Sequence, residues 1–96
     1  FCSADDLAVG LMSGLARVGV AVPRDLSVVG FDGFDISLMA TPALTTIGQN
    51  VEHKAKIAVS RLLSAINGSE ARESSSPDAP LDVSLLERET VATVEL

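Results

Sequence analysis

The stretch Leu26-Ser27-Val28-Val29-Gly30-Phe31-Asp32 decides the fold class of this chain. Its short valine-rich run follows a helix-like segment, which is the pattern of a buried parallel strand in an α/β protein. Ligands of open α/β sheets bind at the carboxyl ends of the strands. Asp32 stands at such an end. It is therefore either an acceptor that faces a cleft, as in a small-molecule sensor or carrier, or a structural aspartate in a turn.

The composition limits which classes of protein remain. The 96 residues suffice for one small domain, and a hydrophobic content of 47% predicts a folded core. Seven basic and thirteen acidic residues give a net charge of −6, and only 3% of the residues are aromatic. Because nucleic-acid binding depends on clustered cations and aromatic stacking surfaces, the chain itself is not expected to bind DNA.

The chain carries one cysteine, Cys2, and one histidine, His53. A single cysteine cannot form an internal disulfide, and one cysteine with one histidine supplies too few ligands for a structural zinc site. Neither a metal nor a cofactor is therefore expected. No apolar run approaches membrane-spanning length, and no membrane partner is expected. The chain opens at Phe1 as though within a strand, which suggests a piece of a longer protein.

Two helices are predicted from the spacing of apolar residues. The first covers residues 5–18, and Ser3 with Asp6 resembles a capping box at its start. Its apolar stripe consists of Leu7, Leu11, Leu15 and Val18. The second covers residues 51–67, with Asn50 as its N-cap. Its apolar face consists of Val51, Ala55, Ala58, Val59, Leu62, Leu63 and Ile66.

Short β-prone runs complete an α/β pattern. Residues 26–31 and 44–47 are predicted as strands, and the alternation of apolar residues in 81–87 predicts a third. Residues 69–80 are a polar connection, either a surface loop or a locally disordered segment. Residues 34–40 carry large apolar side chains in a loop-like region, which favours a subunit interface over internal packing.

Three ordered motifs, with a final strand, resemble one family. The motifs are residues 1–10 (FCSADDLAVG), residues 19–23 (GVAVP) with 25–32 (DLSVVGFD), and residues 41–49 (TPALTTIGQ), and the strand ends in Glu87-Arg88-Glu89-Thr90. Together they resemble the carboxyl-terminal part of the lactose-repressor/galactose-repressor (LacI/GalR) family of bacterial transcription regulators. The resemblance covers nearly the whole chain except residues 69–80.

The resemblance implies a periplasmic-binding-protein-like, two-lobed α/β domain with parallel sheets flanked by helices. Residues 1–46 would belong to the carboxyl-terminal lobe. Residues 47–96 would belong to the amino-terminal lobe, with the helix at 51–67, the strand at 81–87 and a crossover back near 88–90. Since the sheet that would cover this helix is mostly outside the sequence, its apolar face is expected to need another chain segment or a partner chain.

The implied function is effector sensing in a cytoplasmic repressor. The expected partners are a sugar-like small molecule and a second copy of the chain, whereas DNA would be contacted only through a helix-turn-helix domain absent from this chain. Residues 34–40 and the Val9-Leu11-Met12 side of the first helix match the surfaces through which such regulators dimerise.

Four residues match ligand-binding positions of the family. Asp32 matches a carboxylate that accepts hydrogen bonds from sugar or nucleobase-like effectors. Asp5 matches the aspartate of an Asn-Asp pair at a helix start, for which helix capping is the alternative role. Phe31 matches an aromatic position beside the pocket, and Gln49 lies near a crossing between lobes.

Two departures from the family pattern concern the effector. Ala4 and Gly33 stand where many members carry Asn and a second Asp, so the effector cannot be carried over from the named sugar repressors. A periplasmic sugar-binding protein of a transporter is the alternative function, although residues 41–49 and the final strand favour the regulator. An enzyme is not expected, because His53 has no plausible nucleophile or metal partner.

Overall fold

The computed structural model describes residues 1–68 and 81–94. Helices and strands alternate along them, which confirms the α/β class. In chain order the elements are α1 (Asp5–Arg17), β1 (Val29–Asp32), α2 (Asp35–Met39), β2 (Thr45–Gln49), α3 (Val51–Asn67) and β3 (Val83–Leu86). The polar connection predicted at 69–80 lies outside the described residues.

The three strands form one sheet in the order β1-β2-β3. β1 and β2 are parallel, with Asp32 opposite Gly48. β3 is antiparallel to β2 and begins at Val83 opposite Gln49, the residue at which β2 ends. The chain therefore returns along β2 in the reverse direction, and this sheet is mixed where the resemblance implied parallel sheets.

The described residues fall into two compact units. The first comprises residues 1–49 and 83–94, and the second comprises residues 50–68 and 81–82. The break after Gln49 lies close to the predicted lobe boundary. β3 belongs to the first unit because its backbone pairs with β2, whereas the helix at 51–67, expected in the same lobe as the strand at 81–87, belongs to the second unit. The assignment of residues to the lobes of a larger domain stays a prediction.

The core of the first unit lies where α1 packs on β1. It consists of Ala8, Met12, Val28 and Leu44, with Cys2, Val9, Leu15 and Val22 packed against it. The predicted stripe on α1 lies mostly beside the buried side, since Leu7 is 59% and Val18 is 74% exposed whereas Leu15 packs against the core. Apolar spacing did not distinguish the two neighbouring stripes. The smaller one is buried because Ala8 allows close approach to Gly30.

This orientation corrects part of the expected dimer surface on α1. Met12 lies in the core and Val9 packs against it, so neither side chain is free to contact a second copy as the expected Val9-Leu11-Met12 surface would require. Leu11 remains exposed, together with Leu7 on the turn before it. The exposed surface of α1 is thus rotated relative to the expected one.

The two long helices begin differently. The N-cap of α1 is Ala4 and it makes no side-chain capping bond, so the predicted capping box at Ser3 is not formed. Two aspartates in the first turn of α1 instead favour the positive end of the helix dipole. Asn50 caps α3 as predicted, because its Oδ1 accepts a hydrogen bond from the His53 backbone N–H at 3.0 Å.

The second unit consists largely of α3, none of whose residues is buried. Its apolar face is exposed, including Leu62 at 60%. This agrees with the expectation that the face needs a covering segment from elsewhere. Within residues 1–68 and 81–94, no helix combines the length and apolar character needed to cross a membrane.

Candidate functional site

The parallel pairing of β1 and β2 brings two predicted site residues together. Both strands end at the same edge of the sheet, β1 at Asp32 and β2 at Gln49. Gln49 Nε2 donates a hydrogen bond to Asp32 Oδ1 at 3.0 Å. Both side chains are half-buried, so this carboxylate–amide pair remains accessible at the edge where α/β sheets bind ligands.

The backbone at Asp32 has an unusual conformation. Its φ is 131°, and it is the only non-glycine residue with positive φ among residues 1–68 and 81–94. Gly33 follows with a φ of 79°. Such backbone angles cost on the order of 1–3 kcal/mol for an L-residue and cluster at functional sites, where the surrounding structure imposes them. The strain therefore supports a functional reason for an aspartate here.

The buried carboxylate of Asp5 holds this turn. Its Oδ2 accepts hydrogen bonds from the backbone N–H groups of Gly33 at 3.0 Å and Phe34 at 2.9 Å. Its Oδ1 accepts from Thr46 Oγ1 at 2.5 Å. Because the Asp5 side chain is fully buried, these bonds replace its hydration and join the start of α1 to the β1–α2 turn and to β2.

Asp5 thus has a clear structural role that differs from helix capping. It lies inside α1 rather than at the N-cap, and its side chain bonds residues distant in sequence. Its predicted contact with a ligand stays a prediction. Phe31, half-buried in β1 opposite Ile47, directly precedes the strained residue, and its place beside a pocket also stays a prediction.

Two glycines permit the close approach of these elements. A Cβ atom on Gly30 would lie 2.6 Å from Asp5 Oδ1 and 2.9 Å from Leu44 Cδ2. A Cβ atom on Gly33 would lie 2.8 Å from Gly48 Cα, in addition to the strain of its positive φ. The departure from the family's second aspartate at position 33 therefore suits the tight contact between this turn and β2.

The segment after β3 fastens the other end of β1 and β2. Thr90 Oγ1 accepts from the Thr45 N–H at 2.9 Å and donates to the Val28 carbonyl at 2.6 Å. Glu89 Oε1 accepts from the Ala43 N–H at 2.8 Å. In the sequence, Glu89 and Thr90 are recognisable only as part of a family motif. Their partners are 45 or more residues away, which a local pattern does not reveal.

Two side chains with shifted pKa values, Arg24 and Asp25, lie away from the carboxyl ends of β1 and β2. The pKa of Asp25 is lowered by a side-chain hydrogen bond from Arg24 and by the Ala21 backbone N–H, and the pKa of Arg24 is raised by the same pair. Both side chains are exposed, and they lie in the loop before β1. Among the described residues, no group of three or more His, Cys, Asp or Glu side chains could hold a metal ion.

Comparisons with known proteins point in one direction. A family model described as "Periplasmic binding protein-like domain" matches residues 1–91. The probable HTH-type transcriptional repressor ExuR of Bacillus subtilis is 40% identical to this chain over 72 residues. This match covers 75% of the chain and 22% of ExuR, so the chain spans under a quarter of that relative's length.

Solved structures give the same result. The lac repressor dimer bound to operator and the anti-inducer ONPF superposes with a TM-score of 0.77 and 33% identity, over 95% of this chain and 30% of that one. A LacI family transcriptional regulator from Enterococcus faecium with bound ribose superposes with a TM-score of 0.79 and 30% identity. That match covers 97% of this chain and 34% of the regulator.

Proposed function

Since this chain belongs to the periplasmic binding protein-like domain family, as part of the effector-binding domain of a LacI/GalR-type regulator, we propose that Asp32 and Gln49 contact its effector. The observation that carries this proposal is their 3.0 Å hydrogen bond at the carboxyl edge of the parallel strands. The positive φ of Asp32 supports it independently.

The chemistry of this pair suits a ligand with neighbouring hydroxyl groups. An ionised carboxylate accepts hydrogen bonds from two hydroxyls, and the amide of Gln49 supplies both a donor and an acceptor. The ribose held by the Enterococcus faecium relative supports a sugar-like effector. Phe31 would line the site beside this pair, and Asp5 would keep its turn in place, whether or not it also reaches the ligand.

Repressor relatives favour a regulator over the periplasmic transport protein kept as an alternative. They are transcriptional repressors rather than enzymes. We infer a cytoplasmic protein in which effector binding shifts the population of two arrangements and thereby changes DNA affinity. DNA would be contacted through a domain outside this sequence.

We further propose that a second copy covers α2 and the exposed part of α1. Leu38 is 61% and Met39 is 79% exposed on α2, and Leu7 and Leu11 are exposed on α1. The two helices contact each other, so their apolar side chains supply a joint surface of the kind that monomers rarely expose. The dimeric state of the lac repressor relative supports this occupant.

Thermal unfolding of the full-length gene product in the presence of ribose, other pentoses and hexoses, and nucleosides tests the effector site. A compound present at about 100 times its dissociation constant should stabilise the protein by about 2.7 kcal/mol. Asp32→Ala should abolish the shift, whereas Asp6→Ala, which removes an exposed carboxylate, should retain it. An unchanged thermal shift in Asp32→Ala would contradict the proposed site. The absence of a shift with every compound would contradict the proposed ligand class.

A further inference from the structure

Arg88 connects three elements of the first unit. It lies just past the end of β3, and its Nη1 donates hydrogen bonds to Ser37 Oγ of α2 at 2.5 Å and to the Leu44 carbonyl at 3.1 Å. Its backbone N–H donates to Thr45 Oγ1 at 2.8 Å. A single side chain, that of Arg88, therefore holds the middle of α2 against the start of β2.

α2 depends strongly on this contact. The helix has only five residues, its caps make no side-chain hydrogen bond, and Ser37 is its one buried residue. A helix of this length is not stable by its own hydrogen bonds, so packing must fix its position. Ser37 supplies that fixation: its hydroxyl donates to the Phe34 carbonyl at 2.6 Å while accepting from Arg88, and its carbonyl accepts from the Leu44 N–H at 2.9 Å.

The exposed side of the same helix carries Leu38 and Met39, the apolar residues of the proposed dimer surface. We propose that Arg88, which need not touch the second copy, is a positioning residue that holds α2 in the orientation required for self-association. The inference rests on the dimerisation part of the proposed function. Hydrogen bonds from a charged donor are stronger than neutral ones, so this half-buried guanidinium is well suited to fix a short helix.

Sedimentation equilibrium of the full-length gene product tests this role. Arg88→Met keeps the length of the side chain but removes its donors, and it should weaken the dimer about ten-fold, equivalent to about 1.4 kcal/mol. Arg88→Lys can place one ammonium between the same two acceptors and should restore most of the affinity. Arg24→Met, at an exposed arginine in the loop before β1, should leave the dimer unchanged. A folded Arg88→Met protein that dimerises like the wild type would overturn the inference.

Two further variants separate this inference from the surface on which it rests. Leu38→Asp should weaken the dimer directly, and an unchanged dimer there would remove both the surface and the role of Arg88. A weakened Leu38→Asp dimer with unaffected Arg88→Met would remove only the role of Arg88. If Arg88→Met does not fold, Ser37→Ala decides, because it removes the hydroxyl that accepts from the Arg88 guanidinium. A loss of about ten-fold in Ser37→Ala supports the inference, and full affinity refutes it.

Discussion

Asp32 has a backbone angle that glycine adopts without strain, yet it carries a carboxylate. A turn optimised for stability alone would place glycine at this position, as the chain does at Gly33. An L-residue held at such an angle by its surroundings is typical of sites where function outweighs stability. The candidate acceptor is therefore also the one non-glycine residue with positive φ among residues 1–68 and 81–94.

This strain gives an unusual order of stability among variants of Asp32. Asp32→Ala and Asp32→Gly both lose the hydrogen bond with Gln49, but only the glycine variant relieves the positive φ. Asp32→Gly should therefore be the more stable of the two by about 1 kcal/mol, the reverse of the usual order in strands. Thermal unfolding of the two full-length variants measures it. An alanine variant equal to or more stable than the glycine variant would show that position 32 is not strained.

The site could be predicted from the sequence only in part. Asp32 and Gln49 each follow a predicted strand, and parallel pairing then brings their side chains within hydrogen-bond distance. The role of Asp5 could not be inferred, because its partners at Gly33 and Thr46 lie in other elements. A buried aspartate that serves distant backbone groups looks identical in sequence to one that begins a helix.

At the scale of elements, strong local sequence signals predicted individual helices and strands correctly. α3 and its Asn50 cap follow from spacing and capping chemistry alone, and β1 follows from its valine-rich run. The buried side of α1 was misjudged because two apolar stripes share the helix, and the choice depends on Gly30 in another element. The pairing of β3 with β2 could not be predicted from local patterns, because strand pairing is a long-range property.

The fastening of β1 and β2 by Thr90 gives a prediction at this scale. Thr90→Val keeps the shape of the side chain but leaves the Thr45 N–H and the Val28 carbonyl without their buried partner. The loss should reduce the free energy of unfolding by about 2–3 kcal/mol. Thr90→Ser retains the hydroxyl and should cost about 1 kcal/mol or less, for the lost methyl group. Chemical denaturation distinguishes them, and similar stability of the valine variant and the wild type would refute the fastening role.

At the scale of the whole molecule, the apolar face of α3 requires a partner that the described residues do not provide. Leu62 is 60% exposed here, so its truncation would cost under about 0.5 kcal/mol if this exposure persisted in the full-length protein. If the remainder of a two-lobed domain covers the face, Leu62→Ala should instead cost about 2–5 kcal/mol. Denaturation of full-length Leu62→Ala, with Ser60→Ala at an exposed position of the same helix as the control, decides between the two. A loss no larger than that of the control would contradict the lobe assignment.

We propose that the carboxylate at the end of β1 couples a small effector to DNA binding. The most direct test measures the affinity of the full-length protein for an operator duplex selected from random DNA, with and without the compound that stabilises the protein. The wild-type affinity should change about five-fold or more on effector addition. Asp32→Asn should bind the same DNA as tightly as the unliganded wild type and show no change. An Asp32→Asn protein with the full wild-type response would contradict the account.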